Sequence, residues 1–463
     1  MKIALIQCPS WTTESPPYTL GILYAILKKS GHEVKCFDFN IKTFIYCKNI
    51  QSLHHERIDR NSWLMDGSGN IWYEEEKVLE FIYANKKLIH SFVDVVFDYD
   101  PRVIGLSAQS TSKTFSLKLA SLIKERDKDK VIIFGGPLVF QNCYGPSILK
   151  DSPSVDAVSF TEADLTFPLF LENLEKNGLT QAVPGFTIRS PLGEIITGED
   201  PDSVDNLDEL PFADYSGFNL KDYIKTLIPI STSRGCINRC TFCSESPHWR
   251  RYRRRSSQNV LKEMKYQLEQ YPQTNEFWFN DSLINGDIKM LEELCDLIIA
   301  ANMKIRWGGQ AMIRKEMTGE LLHKLKKAGC YIISYGVESG SNKILGLMRK
   351  GYTAELAEKV LKETHNSGID VIFNIISGFP GEDENTFLET KTFVQRCRNY
   401  AFHVELPVYL LLKGSYIFDH LDEFDISPVN YHENWQLKWK TNDNQNTYEK
   451  RRERAEQLRL LLR

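Results

Sequence analysis

No apolar run in the chain approaches the roughly 18 residues that a membrane span needs, which argues against a membrane-embedded protein. Charge of one sign is also lacking. Against 57 Lys and Arg stand 61 Asp and Glu, a net charge of -4 over 463 residues. That balance gives no general pull towards nucleic acid or an anionic membrane. The opening "MKIALIQCPSWTTESPP" holds one Lys and an apolar run of four, too short for a secretory leader. No repeat at solenoid or propeller periods is visible. Nor is there a disulfide framework. Most of the ten cysteines are scattered singly (Cys8, Cys36, Cys47, Cys143, Cys295, Cys330 and Cys397), as expected of thiols in a reducing cytoplasm. Hydrophobic content of 42% and charged content of 25% are those of a globular chain long enough for two or three domains.

One cluster breaks the scatter. "SRGCINRCTFCSESPHW" places Cys236, Cys240 and Cys243 within eight positions. A structural zinc site wants four closed ligands, and disulfides want an even count. Thiolates also suit iron–sulfur clusters. In a four-iron cubane, three cysteines leave one iron open to a small molecule. Gly235 and the polar flanks argue for an exposed loop. Three unrelated core thiols, or a zinc site completed by His248, remain open on the residues alone.

Around this cluster the chain alternates two patterns. "KIALIQC", "HEVKCFDF", "RVIGLSA", "KVIIFGG" and "VDAVSF" read as buried parallel strands. "YTLGILYAILKKSG" and "SKTFSLKLASLIKERD" between them carry helical spacing, predicting a doubly wound, Rossmann-like parallel sheet. Residues 40–99 interrupt it with an aromatic-rich insert containing Trp63, Trp72 and Tyr73 and a helix expected near 75–98. The role of 40–75 is not legible. "GFTIRSPLGEIITGED" reads as a closing hairpin and "PDSVDNLDELPFADYSGF" as a linker. A second alternation follows, with strands at "TLIPISTS", "EFWFND", "KIRWGGQ", "YIISYGVES", "DVIFNIISG" and "HVELPVYLL". It predicts a partial (β/α)6, TIM-like barrel, two units short of closure. The expected domains are therefore 1–200, 201–410 and a C-terminal helical extension at 411–463. The charged tail "TYEKRRERAEQLRLLLR" reads as an exposed or docking helix.

With CxxxCxxC after the first strand of a six-unit partial barrel, and Phe242 before the last Cys, the chain resembles the radical S-adenosylmethionine enzymes. The likeness continues through "RRRSSQNVLKEMKYQ", "FWFNDSLIN", "WGGQAMIR", "GVESGSNKILGLMRKG" and "IISGFPGED". The resemblance implies that Cys236, Cys240 and Cys243 hold a [4Fe-4S] cluster whose open iron binds S-adenosylmethionine. It places Asn280 and Asp281 at the cosubstrate's amino group, although the Gly-Gly-Glu version of that motif is absent. Glu338 and Ser339 would lie by the ribose, where a carboxylate can accept from both hydroxyls. Arg314 would meet the carboxylate, or is an ordinary arginine opening a helix. Gly378 and Gly381 would pass close to ligand, or shape the turn before a helix that Glu382 and Asp383 begin. The basic run "WRRYRRR" at 249–255 invites a nucleic-acid reading, but falls where the family has its arginine-rich helix entry. No nucleic-acid partner is expected.

The first domain resembles the cobalamin-binding domain of cobalamin-dependent radical S-adenosylmethionine enzymes. The resemblance rests on "QCPSWTTESPPYTLGILYAILKKSGHEVKCFD", "IGLSAQSTS", "FGGP" and "DAVSFTEAD". It implies that Ser107, Gln109, Thr111 and Ser112 bond corrin amides, that Gly135 and Gly136 admit close approach, and that Thr161 and Glu162 flank the ring. Dinucleotide binding competes, weakened because GxGxxG is missing after the first strand. The Asp-x-His-x-x-Gly motif of cobalamin mutases is absent too, so a corrin would be bound without a histidine on cobalt. "ETHNSG" at 363–368 reads as a helix C-cap. A vestigial sheet without corrin, as in methylthiotransferase-like chains, stays open. The implied activity is methyl transfer to an unactivated carbon, with an electron donor of flavodoxin or ferredoxin type. Ring contraction or oxidative cyclisation uses the same cofactors, and a non-catalytic metal-binding or nucleic-acid-binding module is the alternative from another class. Whether the substrate is a small molecule or a peptide is not legible.

Overall fold

The computed structural model describes residues 1–54, 63, 71–140, 143–145, 147–430 and 434–462, without the side chains of 50–54, 246 and 247. The chain divides into two compact units, residues 1–65 with 69–226, and residues 227–463 with 66–68.

The first unit is built on a seven-stranded sheet. Its strands are β1 (Lys2–Gln7), β2 (Glu33–Asp38), β3 (Val103–Ser107), β4 (Val131–Gly135), β5 (Ala157–Ser159), β6 (Phe186–Arg189) and β7 (Ile195–Thr197), in the order 2-1-3-4-5-6-7. The first five are parallel, and β6 and β7 add an antiparallel hairpin at the edge. Successive strand residues point to opposite faces, and both faces are apolar. Ile3, Leu5, Val103 and Ile133 pack with Phe167, Phe170 and Leu171 of helix Ala163–Asn177. Ala4, Ile6, Ile104, Leu106, Ile132 and Phe134 pack with Phe115 and Leu119 of helix Lys113–Arg126 and with Phe92 and Val96 of helix Lys86–Tyr99. This is the doubly wound arrangement expected. β1 and β3 are the neighbours at which strand order reverses, the place where such sheets bind ligands beyond their C-terminal ends.

The insert is mostly helical. The single helix expected near 75–98 is two, Glu75–Ala84 and Lys86–Tyr99, broken where the Asn85 amide donates to the Phe81 carbonyl at 2.8 Å. Positions 55–62 and 64–70 of the insert lie outside the described residues. Trp63 is buried between Phe44 and Trp72 at ring distances of 5.5 and 4.9 Å. Its indole N–H donates to Asn40 Oδ1 at 3.0 Å, the same oxygen that accepts from the Trp11 N–H. The insert thus braces the loop after β1. Residues 201–226 also pack in this unit. Lys28 pairs with Asp214 at 2.9 Å, and the Tyr223 hydroxyl donates to Asp38 at 2.7 Å.

The second unit is a six-stranded sheet of β8 (Leu227–Ile230), β9 (Glu276–Phe279), β10 (Arg306–Ala311), β11 (Cys330–Glu338), β12 (Asp370–Ile375) and β13 (His403–Glu405). All pairings are parallel and run in chain order, with β8 and β13 at the edges. Every crossover carries at least one helix, the partial-barrel pattern expected. The tail docks on this unit as helix Tyr448–Leu460. Its face is unusual because Arg451 and Arg454 are buried. Arg451 donates to the carbonyls of Leu437 and Trp439, and its guanidinium lies 3.9 Å from the Trp439 ring centroid.

Candidate active site

The cysteines occupy a loop that leaves β8 and returns to helix Ser257–Gln270. Its base is closed by a two-stranded ribbon pairing Ser233–Arg234 with Arg253–Arg254. Asp281, beyond the end of β9, fixes that base. Its carboxylate accepts from the Thr232 N–H at 3.0 Å, the Thr232 hydroxyl at 2.8 Å and the Ser233 hydroxyl at 2.6 Å. Burial pushes the Asp281 carboxyl up to about 6, against the pull of those donors. Arg255, buried beside Glu263, donates to the Ser231 carbonyl at 2.8 Å. The basic run is therefore largely structural: Arg255 is inside and Arg254 pairs with Asp287 at 2.6 Å. Gly235 turns with φ +83, and a Cβ there would stand 2.6 Å from the Arg251 carbonyl oxygen.

From this base the loop crosses to the segment after β11. Thr241, buried, donates its N–H to the Met348 carbonyl at 3.2 Å and its hydroxyl to the Leu347 carbonyl at 3.0 Å. Asn238 serves both sides. Its backbone N–H meets Cys236 Sγ at 3.4 Å, while its side-chain amide meets Cys240 Sγ at 3.3 Å and the Lys350 carbonyl at 3.4 Å. Cys243 closes a turn by donating to the Cys240 carbonyl at 3.2 Å. All three cysteines are half-buried. Burial raises the Cys236 and Cys240 thiols, opposed in both by the Lys350 charge. Among the described residues, no three His, Cys, Asp or Glu side chains converge on a single ion. The donor set suits a larger body: three soft sulfurs from one turn, two already receiving the N–H bonds that tune iron–sulfur clusters. His248, the alternative fourth ligand, is pushed down to about 3 by burial and by Arg250, Arg253 and Arg234.

Glu338 ends β11 at a break in register against β12, with φ +71. A non-glycine residue held there costs roughly 1–3 kcal/mol and recurs at functional sites. The bulge re-aims its side chain to meet Lys350 Nζ at 3.4 Å. Lys350 also lies 5.7 Å from the Phe242 ring centroid, and Phe242 stands edge-on to Phe379. Cys236, Cys240, Phe242, Lys350 and Glu338 thus form one neighbourhood. Sequence reasoning missed Lys350, Asn238 and Thr241, although Lys350 lies inside the quoted "GVESGSNKILGLMRKG".

The other expected residues divide. Asn280 is exposed just beyond β9. Arg314 donates Nη1 to the Asn285 and Gly286 carbonyls at 2.7 and 2.9 Å, locking the loop after β9 to the one after β10. Ser339 is buried, its hydroxyl bonded to Thr390 Oγ1 at 3.1 Å and accepting from the Ser341 N–H. Gly378 is glycine because Arg451 fills its place: a Cβ would sit 2.0 Å from Arg451 Cγ. Glu382 does not begin the next helix. It is buried against Arg454, and Asp383 is the N-cap.

In the first unit, Gln109 and Thr111 are buried and both donate to the Ser10 carbonyl, at 3.2 and 2.9 Å. Ser112 bonds back to Gln109. These three hold the loop after β1. Ser107, Gly135, Gly136, Thr161 and Glu162 remain partly exposed at the C-terminal strand ends. Nothing lies within 4 Å of where a Gly135 Cβ would be, whereas Gly136 has φ +93 and packs on Ala108. An open edge of small residues suits a flat ring. The stretches 8–17, 108–112, 136–145 and 160–162 contain no histidine.

Comparison with known proteins agrees with this geometry. The radical SAM superfamily profile matches residues 230–394. An uncharacterised methyltransferase of Pyrococcus horikoshii is 24% identical over 307 residues, covering 65% of this chain and 66% of the relative. The cytidylyl-2-hydroxyethylphosphonate methyltransferase of Streptomyces wedmorensis is 26% identical over 405 residues, covering 79% and 69%. The chain thus spans about two thirds of the length of these relatives. The radical S-adenosylmethionine methyltransferase TsrM of Kitasatospora setae, solved with cobalamin and a [4Fe-4S] cluster, superposes with a TM-score of 0.69 at 16% identity, covering 98% of this chain and 84% of that one. At that identity the likeness establishes the fold. No helix of the described residues is long and apolar enough to cross a membrane. The profile match lies on the cysteine loop and its sheet, so residues 230–394 are similar to the radical S-adenosylmethionine superfamily, and the chain carries both folds seen in the cobalamin-bound TsrM structure.

Proposed function

We propose that the chain is a cobalamin-dependent radical S-adenosylmethionine enzyme that transfers a methyl group to an unactivated carbon. One observation carries this: a three-sulfur loop at the C-terminal end of β8, closed at its base by the ribbon and bolted to 347–348 through Thr241 and to Lys350 through Asn238. Three sulfurs leave one corner of a four-iron body for a small ligand. When bound, the cluster supplies the electron that cleaves S-adenosylmethionine, and cobalamin carries the methyl group.

The chain's own residues bind and orient. Cys236, Cys240 and Cys243 hold the cluster, with Asn238 donating to two of the sulfurs. Glu338 accepts from the ribose hydroxyls. Exposed Asn280 meets the amino group, and Asp281 acts one step back by holding Thr232 and Ser233. Arg314, with Nη1 committed to backbone, offers Nη2 to the carboxylate. In the first unit, Ser107, Gly135, Gly136, Thr161 and Glu162 take the corrin, with no histidine on cobalt. An external one-electron donor of flavodoxin or ferredoxin type completes the set.

The test is anaerobic reconstitution with iron, sulfide and hydroxocobalamin, followed by the optical spectrum and assay of 5'-deoxyadenosine. About four irons per chain are expected, and none in Cys240→Ala. Failure of the unmodified protein to take up iron overturns the reading. Methyl transfer from labelled S-adenosylmethionine should raise the product mass by one methylene. An unchanged carbon count redirects the activity to ring contraction or cyclisation.

A further inference from the structure

Lys350 belongs to none of the roles assigned above, yet it is a buried cation beside the cysteine loop. It is 6% exposed, one turn of chain beyond the helix Asn342–Leu347 that receives the cysteine loop. Three groups face its ammonium: Glu338 Oε1 lies at 3.4 Å, and the Phe242 and Tyr352 ring centroids lie at 5.7 and 5.8 Å. Its main-chain carbonyl holds the Asn238 amide that donates to Cys240. The Tyr352 hydroxyl is committed to the Gly336 and Val337 carbonyls, so that ring is fixed beside the ammonium.

A buried Lys–Glu pair alone would be a poor stability device, because desolvation offsets most of the attraction. The placement makes more sense beside a further anion. Resting on the cluster assignment above, we propose that Lys350 is the fixed counter-charge of the cluster and sets its reduction potential. One electron from a low-potential external donor adds one negative charge to the cluster, with no proton taken up. Lys350 stabilises that added charge, while Glu338 moderates the effect. Nearby charge and burial are among the levers by which proteins move cluster potentials. A charge buried as Lys350 is acts more strongly on its neighbours than one in solvent.

The experiment is a potentiometric titration of the reconstituted protein without S-adenosylmethionine, followed by electron paramagnetic resonance of the reduced cluster. Lys350→Gln keeps a donor for Glu338 and removes the charge; Lys350→Arg keeps the charge. In Lys350→Gln the ratio of reduced to oxidised cluster at a fixed potential should fall at least tenfold, about 59 mV for one electron. In Lys350→Arg it should stay within threefold of the parent. An unchanged ratio in Lys350→Gln, at parental iron content, overturns the proposal. If Lys350→Gln does not fold, Glu338→Gln decides: with its opposing anion gone, Lys350 must raise the ratio, and no change overturns the proposal. Iron uptake by the parent is the separate control. Its failure removes the cluster assignment, whereas loaded protein with an unmoved potential removes only the role of Lys350.

Discussion

Arg454 Nη1 stands 3.0 Å from Glu382 Oε1, with both side chains almost wholly withdrawn from water. Glu382 also accepts from the Gly378 N–H at 3.0 Å, so this pair ties the C-terminal helix to the turn after β12. Burial pushes the Glu382 carboxyl up to about 7, although Arg454 pulls the other way. Removing one partner strands the other. Arg454→Met should cost about 3–5 kcal/mol, read as a lower unfolding midpoint. Because the folded value of the acid lies above its ordinary 4.5, protonation favours the folded state. The deficit of Arg454→Met relative to parent should therefore shrink as pH falls from 8 towards 5. A deficit independent of pH would show that Glu382 is not the stranded group.

Gly378 and Arg451 compete for one space. With φ +77 and Arg451 Cγ at 2.0 Å from its would-be Cβ, Gly378→Ala should destabilise by roughly 1–3 kcal/mol. In the double variant with Arg451→Ala the two shortest contacts go, leaving a Cβ–Cβ approach of 3.0 Å and the backbone part. The two costs should fail to add by at least 0.5 kcal/mol, roughly the threshold for residues in contact. Chemical denaturation of the four proteins measures the cycle.

Asp281 gives a pH signature of its own. Its folded value is raised from 3.8 to about 6 by burial. The contribution it makes is thus present below about 4 and lost as pH rises through about 6. Thermal midpoints of the parent minus those of Asp281→Asn should decline across that window and level off above it. A difference that grew with pH would mean that the Thr232 and Ser233 donors dominate over burial.

The two adjacent glycines at the end of β4 should behave oppositely. Gly135 faces open space, so Gly135→Leu should leave stability within about 0.5 kcal/mol and reduce cobalamin retention at least tenfold. Gly136, at φ +93 with its would-be Cβ 2.8 Å from the Ala108 carbonyl oxygen, should destabilise when replaced by Ala. Retention on a desalting column, measured beside the melting curve, separates the two effects. Unaltered retention in Gly135→Leu would move the corrin away from this edge.

Much of the architecture could be read from local pattern. Runs such as Ile3–Ile6 and Val131–Phe134 are apolar on both faces, as parallel strands covered by helices must be. The clustering of Cys236, Cys240 and Cys243 is plain from spacing alone. What escaped was whatever depends on partners distant in sequence. "TYEKRRERAEQLRLLLR" looks like solvated charge because Glu382 and the niche at Gly378 come from another element. Gln109, Thr111 and Ser112 show their capacity to bond, but not that Ser10 and Gln109 themselves use it. Lys350 sits in a stretch that drew attention for Glu338, and only the bulge before Glu338 turns the two towards each other. Asn85 interrupts a helical period without a proline or glycine to announce it.

The ribbon of Ser233–Arg234 with Arg253–Arg254 has a consequence for the life of the enzyme. Because hydrogen bonds already draw the two ends of the cysteine loop together, the entropy of closing it is met by the polypeptide and not by iron. Small zinc modules, by contrast, collapse without their ion. Were the proposed cluster stripped by oxygen, the scaffold would be left standing, so that recovery is a matter of refilling a vessel already formed.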